Sequence, residues 1–283
     1  MISNRNDEIR ALLKLTPEEV IEQARDHIEV CKNLDDLHYH FAKSIFNEIY
    51  ENNTQQKPTK LILPVGPTGQ YPILKNMIED EHLSLEHCWF FFMDEYCDED
   101  GFALTTIHPL SFKRMVKMLF LIPLKDGHGL NNDQVVFPDE LNIHKLSKRI
   151  REIKGIDTCY GGIGIHGHVA FNEPSARIAD SEPRKVQLNP YTITMNAIRA
   201  QVGGNLENFP KYAFTLGLKQ ILEAKRIRLY CRNGSPYDWA NTVLRLALLG
   251  EPGDDYPVTY IRNHPDYKII TDKDTLLTPM NLI

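Results

Sequence analysis

Two histidines two positions apart, with a glutamate five residues beyond the second, stand in GGIGIHGHVAFNEP, residues 161–174. Four chemistries share that spacing. Gly162 to Gly167 satisfies GxGxxG, the turn that delivers a pyrophosphate to a helix N-terminus. However, HVAFNEP carries no helical stripe and Pro174 follows seven residues after Gly167, so the helix that motif needs is missing. His166, His168 and Glu173 form a ligand set for a metal, without a second tightly spaced cluster to complete it. Both histidines also fit as satisfied loop residues. In the fourth reading His168 is an acid–base group, and Glu173 fixes its tautomer and raises its basicity.

Two further stretches carry chemistry. In CWFFFMDEY, Asp94 follows an apolar run directly. An acid at a strand end is placed to act as a general base on a substrate carbon, or to cap a turn. Glu95 beside it reads as structural. In GPTG, 66–69, the residues Gly66, Thr68 and Gly69 precede a helical stretch. Such a turn aims backbone amides at an anion, or is a plain strand–helix connection. It is not a P-loop, because GxxxxGK[ST] is absent.

The elements that must position these residues alternate. KLILPV, HCWFFFM, IDTCYGG, RIRLYCR and DYKIITD are short apolar runs, the signature of strands buried on both faces. Between them DDLHYHFAKSIFNEIYENN, GQYPILKNMIED, HPLSFKRMVKMLF, DELNIHKLSKRIREIKG, TLGLKQILEAK and YDWANTVLRLALLG read as helices. This predicts an α/β fold, a Rossmann-like three-layer α/β/α sandwich on a mostly parallel sheet. LTPEEVIEQARDHIEVCKN reads as a helix, with Thr16 as N-cap, Pro17 at the first helical position and Glu19 closing a capping box. Residues 1–35 are therefore expected to form a helical extension and 36–283 one domain. Ligands of such sheets bind beyond the carboxyl ends of the strands, and three strands end in the three loops above. If those strands are parallel neighbours, the loops meet.

Composition narrows the partners. A net charge of −6 without a long basic run argues against nucleic acid or an acidic membrane surface, and no apolar run is long enough to span a bilayer. The five cysteines Cys31, Cys88, Cys97, Cys159 and Cys231 form no CxxC pair, so no disulfide framework or structural zinc site is expected. With no signal peptide at the start, the expectation is a cytoplasmic protein with reduced thiols.

Taken together, MDEY (93–96) and the later GGIGIHGHVAFNEP resemble the glucosamine-6-phosphate deaminase (isomerase) family. The likeness is collinear over roughly residues 38–272. LPVGPTGQYPIL is similar to the family's phosphate loop, HPLSF to its HPxSY segment, FPKYAFTLGLKQILEAKRI to its PKYALT segment, and RNHPDYKIITD to its ending. FNEP beside GHVA separates this group from the related 6-phosphogluconolactonases. The resemblance implies a cofactor-free, metal-free isomerisation coupled to deamination, in which an amino sugar phosphate becomes fructose 6-phosphate and ammonia. It implies Asp94 as the base moving a proton between C2 and C1, His168 as the ring-opening group and Glu173 as its orienting carboxylate. It places Gly66, Pro67, Thr68 and Gly69 in the phosphate loop and Arg184 as a phosphate ligand. It also implies a homo-oligomer.

Three positions depart from the family pattern. His166 stands where the family has an aspartate, Tyr237 where its GSxK segment has a phosphate-holding lysine, and Pro67 where its loop has a second glycine. An imidazole for a carboxylate and a hydroxyl for an ammonium both weaken charge at the site, so reduced or altered activity on glucosamine 6-phosphate is expected. Two other readings share the fold. One is a non-catalytic sugar-phosphate-binding protein, as in effector domains of some bacterial regulators, although residues 1–35 hold no basic recognition helix. The other is a 6-phosphogluconolactonase-like hydrolase using His168 as base.

Overall fold

The computed structural model describes residues 4–124, 128–233 and 239–280. The chain begins with α1 (Arg5–Leu13), α2 (Pro17–Ala24), β1 (Ile28–Cys31), α3 (Leu34–Thr54) and β2 (Thr59–Leu63). It continues through α4 (Gln70–Asp80), β3 (Cys88–Phe92), β4 (Asp94–Cys97), α5 (Phe112–Val116), β5 (Val135–Val136), α6 (Leu146–Glu152) and β6 (Thr158–Gly162). The last part holds β7 (Arg184–Gln187), α7 (Pro190–Arg199), β8 (Tyr212–Thr215), α8 (Leu218–Leu222), β9 (Arg226–Tyr230), α9 (Ala240–Leu249), β10 (Tyr267–Asp272) and α10 (Lys273–Leu276).

Among the described residues, seven strands form a parallel sheet in the order β1-β10-β9-β6-β2-β3-β5. Alternation along each strand feeds two cores. Leu61, Leu63, Phe90 and Phe92 face α3, α4 and α5, where Leu37, Phe41, Ile45 and Ile49 make the expected buried stripe. Ile62, Phe91, Cys159, Leu229 and Ile269 face α2, α6, α8 and α9. Each such side chain taken out of water contributes about 1.5–3 kcal/mol, which is why these runs tolerate no polar interruption until they end. No described helix is long and apolar enough to cross a membrane.

Two features depart from the sequence reading. The N-terminal helix stops at Ala24, as the capping box at Thr16 and Glu19 promised for its start, but Ile28–Cys31 is an edge strand paired with β10, not more helix. IEVC alternates in two-residue fashion, and the edge of the sheet rewards that pattern over helical propensity. The residues read as a helical extension thus supply two helices and a strand. The second departure is a separate antiparallel sheet, β4-β8-β7. Its strands are four residues each, too short to show a period, and β4 consists of the very DEYC read as a strand-end loop.

Arg245, fully buried on α9, ties the termini together. Its guanidinium donates to the carbonyls of Leu15, Asn241, Leu276 and Leu277.

Candidate active site

β6, β2 and β3 are parallel neighbours, and the chain leaves β2 to one side for β3 and later to the other for β6. This is a topological switch point, where a crevice opens beyond the strand ends. The loops meet there: a Cβ built on Gly162 would stand 2.7 Å from the Gly66 carbonyl and 2.9 Å from Pro67. The crevice is a cavity of about 660 Å³. Gly66, Pro67, Thr68, Asp94 and His168 line it, together with Tyr96, Arg199, Tyr230 and Arg232.

Asp94 opens β4, opposite Thr215 of β8, and is 7% exposed. Burial, reinforced by the neighbouring Glu95 carboxylate, pushes its pKa up to about 8. Alternation then sends Asp94 and Tyr96 to the cavity and Glu95 away from it. Glu95 accepts from the Ser111 hydroxyl at 3.0 Å and from the N–H groups of Tyr96, Phe112 and Lys113 at 2.9, 2.9 and 2.7 Å. It therefore fastens the start of α5 to β4, the structural part expected of it, and HPLSF supplies two of its four donors, Ser111 and Phe112.

His168 sits in a tight turn in which Gly164 N–H donates to the His168 carbonyl at 2.9 Å. Its ring lies against Gly164 so closely that a Cβ there would be 2.1 Å from Nε2, so this position demands glycine. Burial, with added opposition from Arg199, pushes its pKa down to about 3. The imidazole is neutral at any working pH. Its Nδ1 is buried without a hydrogen-bond partner among the described residues.

Glu173, His166, Arg184 and Gly69 are not on the cavity wall. Glu173 Oε2 accepts from the Asn189 N–H at 2.8 Å, and its Oε1 has no partner among the described residues, so it makes no hydrogen bond to His168. Burial raises its pKa, against the pull of the Asn189 amide. Asn189 also sets His166. Its Oδ1 caps α7 by accepting from Thr192 N–H, which turns its NH₂ to His166 Nδ1 at 3.2 Å. His166 thus accepts through Nδ1 and is neutral, in keeping with the downward shift that burial imposes. Its ring meets Tyr191 and Tyr256 edge-on. Arg184 shares a cross-strand row with Thr215 and Asp94, but its Nη1 donates to Asn172 Oδ1 at 3.0 Å. Asn172, fully buried, donates in turn to the Val169 and Leu216 carbonyls, so the FNEP segment clasps β7 and β8 to the site. Tyr237, with the rest of GSPY, lies outside the described residues. No group of three His, Cys, Asp or Glu side chains among the described residues could hold a metal ion.

Sequence reasoning overlooked Arg199 and Arg232. Arg232 follows β9 by two residues, so the strand-end rule, extended to this fourth strand, finds it. Arg199, at the last position of α7, carries no local signal.

No family model matches the chain. Curated proteins do. The glucosamine-6-phosphate deaminase of Treponema denticola is 31% identical over 238 residues, 82% of this chain and 83% of that protein. That of Borrelia garinii subsp. bavariensis is 31% identical over 226 residues, 78% and 79%. That of Caenorhabditis elegans is 29% identical over 204 residues, 70% and 73%. Among solved structures, a monomeric glucosamine-6-phosphate deaminase superposes with a TM-score of 0.76 at 23% identity, covering 88% of this chain and 98% of that one. The 6-phosphogluconolactonase of Thermotoga maritima gives 0.63 at 15% identity, covering 87% and 99%. At those identities the two structures speak to the α/β/α fold.

Proposed function

We infer what this chain does from a plain premise: it belongs to the glucosamine-6-phosphate deaminase family. It is an enzyme that opens the ring of a phosphorylated amino sugar and isomerises the aldose to a ketose. One water is consumed and the amine leaves as ammonia. The observation that carries this reading is the meeting of Asp94, His168 and the 66–68 turn on one cavity wall.

The chemistry assigns each group a task. Neutral His168 is the proton carrier at the ring oxygen, because an imidazole can give a proton from one nitrogen while accepting at the other. Asp94, whose carboxyl burial and Glu95 keep largely protonated below about pH 8, ionises more readily beside the substrate's ammonium, since an opposite charge favours the carboxylate. The carboxylate then takes the C2 proton and returns it to C1. Amides of Gly66, Thr68 and the start of α4 hold the phosphate, Pro67 having no N–H to offer, with no side-chain cap competing at Gly69. That grip spends binding energy on orientation. Glu173 acts at one remove, through Asn189 and the neutral state of His166. The five unpaired cysteines support a reducing, cytosolic setting.

The test is release of ammonium and fructose 6-phosphate from glucosamine 6-phosphate by the folded protein. Stoichiometric release, lost in His168→Ala, is expected. Acid release from 6-phosphogluconolactone without ammonium from the amino sugar overturns the assignment.

A further inference from the structure

Beside the glycine turn, His38 Nε2 and Arg232 Nε are buried and have no hydrogen-bond partner among the described residues. Neither has a task in the reaction above. His38 stands on α3, and its ring presses on the start of α4: a Cβ at Gly69 would lie 2.4 Å from ring atoms Cε1 and Nδ1. Arg232 comes from beyond β9 and lines the cavity. The charges that face His38 are Arg232, Asp35 of its own helix and Asp272 at the end of β10. Burial and Arg232 outweigh the two acids and hold the ring neutral. Asp272 is occupied in capping α10 through Thr275 N–H. Arg232 makes one long bond to the Asn233 carbonyl, at 3.3 Å, and burial lowers its pKa.

A cation drawn out of water is costly even with the Asp272 carboxylate favouring its charge, and an idle buried donor adds to that cost. Both costs fall when an anion comes within reach of these donors. Among the described residues, His38 stands against the start of α4, whose N-cap Gly69 offers no side-chain cap to its amides.

We propose that Arg232 and His38 form a side-chain arm that grips the substrate's phosphate at the start of α4, Arg232 through its Nε–H as the cation and His38 through Nε2–H as a neutral donor. The arm deepens the deaminase reading and rests on it for the identity of the sugar. Arg232 also supplies, from just beyond β9, a positive charge that the 66–69 turn itself lacks.

The experiment pairs steady-state kinetics on glucosamine 6-phosphate with equilibrium binding of inorganic phosphate. Arg232→Met is expected to raise KM and the phosphate Kd together by roughly 10- to 100-fold, as loss of a charged hydrogen bond does, with kcat nearly unchanged. Arg232→Lys, which keeps the charge and the packing stem, should recover much of the loss and covers the case in which methionine disturbs folding. His38→Ala should raise both constants by about 2- to 10-fold. A merely structural arm would lower the melting temperature and kcat and leave the phosphate Kd alone. Unchanged KM and phosphate Kd in a folded Arg232→Met protein overturn the proposal. If the wild type releases no ammonium, the deaminase reading falls, while the phosphate Kd of the variants still decides the arm.

Discussion

Asp94 and Glu95 are consecutive, yet they stand on opposite faces of β4. Glu95 takes four hydrogen bonds from its own strand and the start of α5, while Asp94 looks into the cavity with a pKa near 8. One carboxylate is consumed as structure, and the other is kept reactive by burial beside Glu95 without a comparable set of donors among the described residues.

That difference sets a pH profile. Asp94 must be ionised to act as base, so kcat/KM is expected to rise with pH and level off above about 8. Glu95→Gln removes the adjacent charge and should move the rising limb to lower pH. A limb that stays put in the folded variant would show that Glu95 has no hold on Asp94.

The same burial carries a stability cost. Asp94 keeps its proton up to about pH 8 in the folded state, whereas the unfolded chain releases it near its ordinary value of 3.8. Stability is therefore lost as pH rises between those values. Asp94→Asn should abolish turnover and yet stabilise the protein at pH 8 by about 2–4 kcal/mol, or roughly 5–10 °C. Thermal melts of both proteins at pH 5 and pH 8 test this, and the gap should narrow at the lower pH.

His168 works in the opposite window. Its folded pKa of about 3 lies below its ordinary 6.5, so the unfolded chain takes up a proton that the folded one refuses. Stability present above pH 6.5 should fall on acidification by about 1.4 kcal/mol per unit for this group, with His38 and His166 adding in the same direction. His168→Asn should flatten the acid limb in urea titrations at pH 7 and 5. It should also cost at least about 100-fold in kcat.

Arg245 holds four carbonyls at once, one of them on the N-terminal segment. Arg245→Met leaves those acceptors unpaired and should cost about 2–5 kcal/mol. Limited proteolysis should then cut the first helices sooner than in the wild type. Equal protection in the two proteins would argue that other contacts, such as Arg5 with Asp255 and Glu8 with the Glu251 N–H, hold these helices without Arg245.

Length, alternation and strand-end chemistry were enough to read the parallel sheet, the helices that cover it and the meeting of residues 66–68, Asp94 and His168, but not the exclusion of Gly69, His166 and Glu173 from that wall. These follow from local pattern, because a strand buried on both faces must be apolar until it ends, and the first polar residues then fall at the crevice. The edge strand Ile28–Cys31 was not legible, since four half-buried residues carry less signal than a capping box just upstream.

Other outcomes depended on contacts between residues far apart in the chain. Which of two adjacent acids faces the cavity was decided by the pairing of β4 with β8, a partner more than a hundred residues away. The partner of Glu173 was decided by Asn189, and the neutrality of His166 by an amide already committed to capping α7. Arg199 and Arg232 reach the cavity only because α7 and β9 end there. Residue type told which groups can hold or move a proton. The tertiary structure decided which of them are left without another partner, because hydrogen-bond capacity is shared out among neighbours in space and a site is made of what remains unshared.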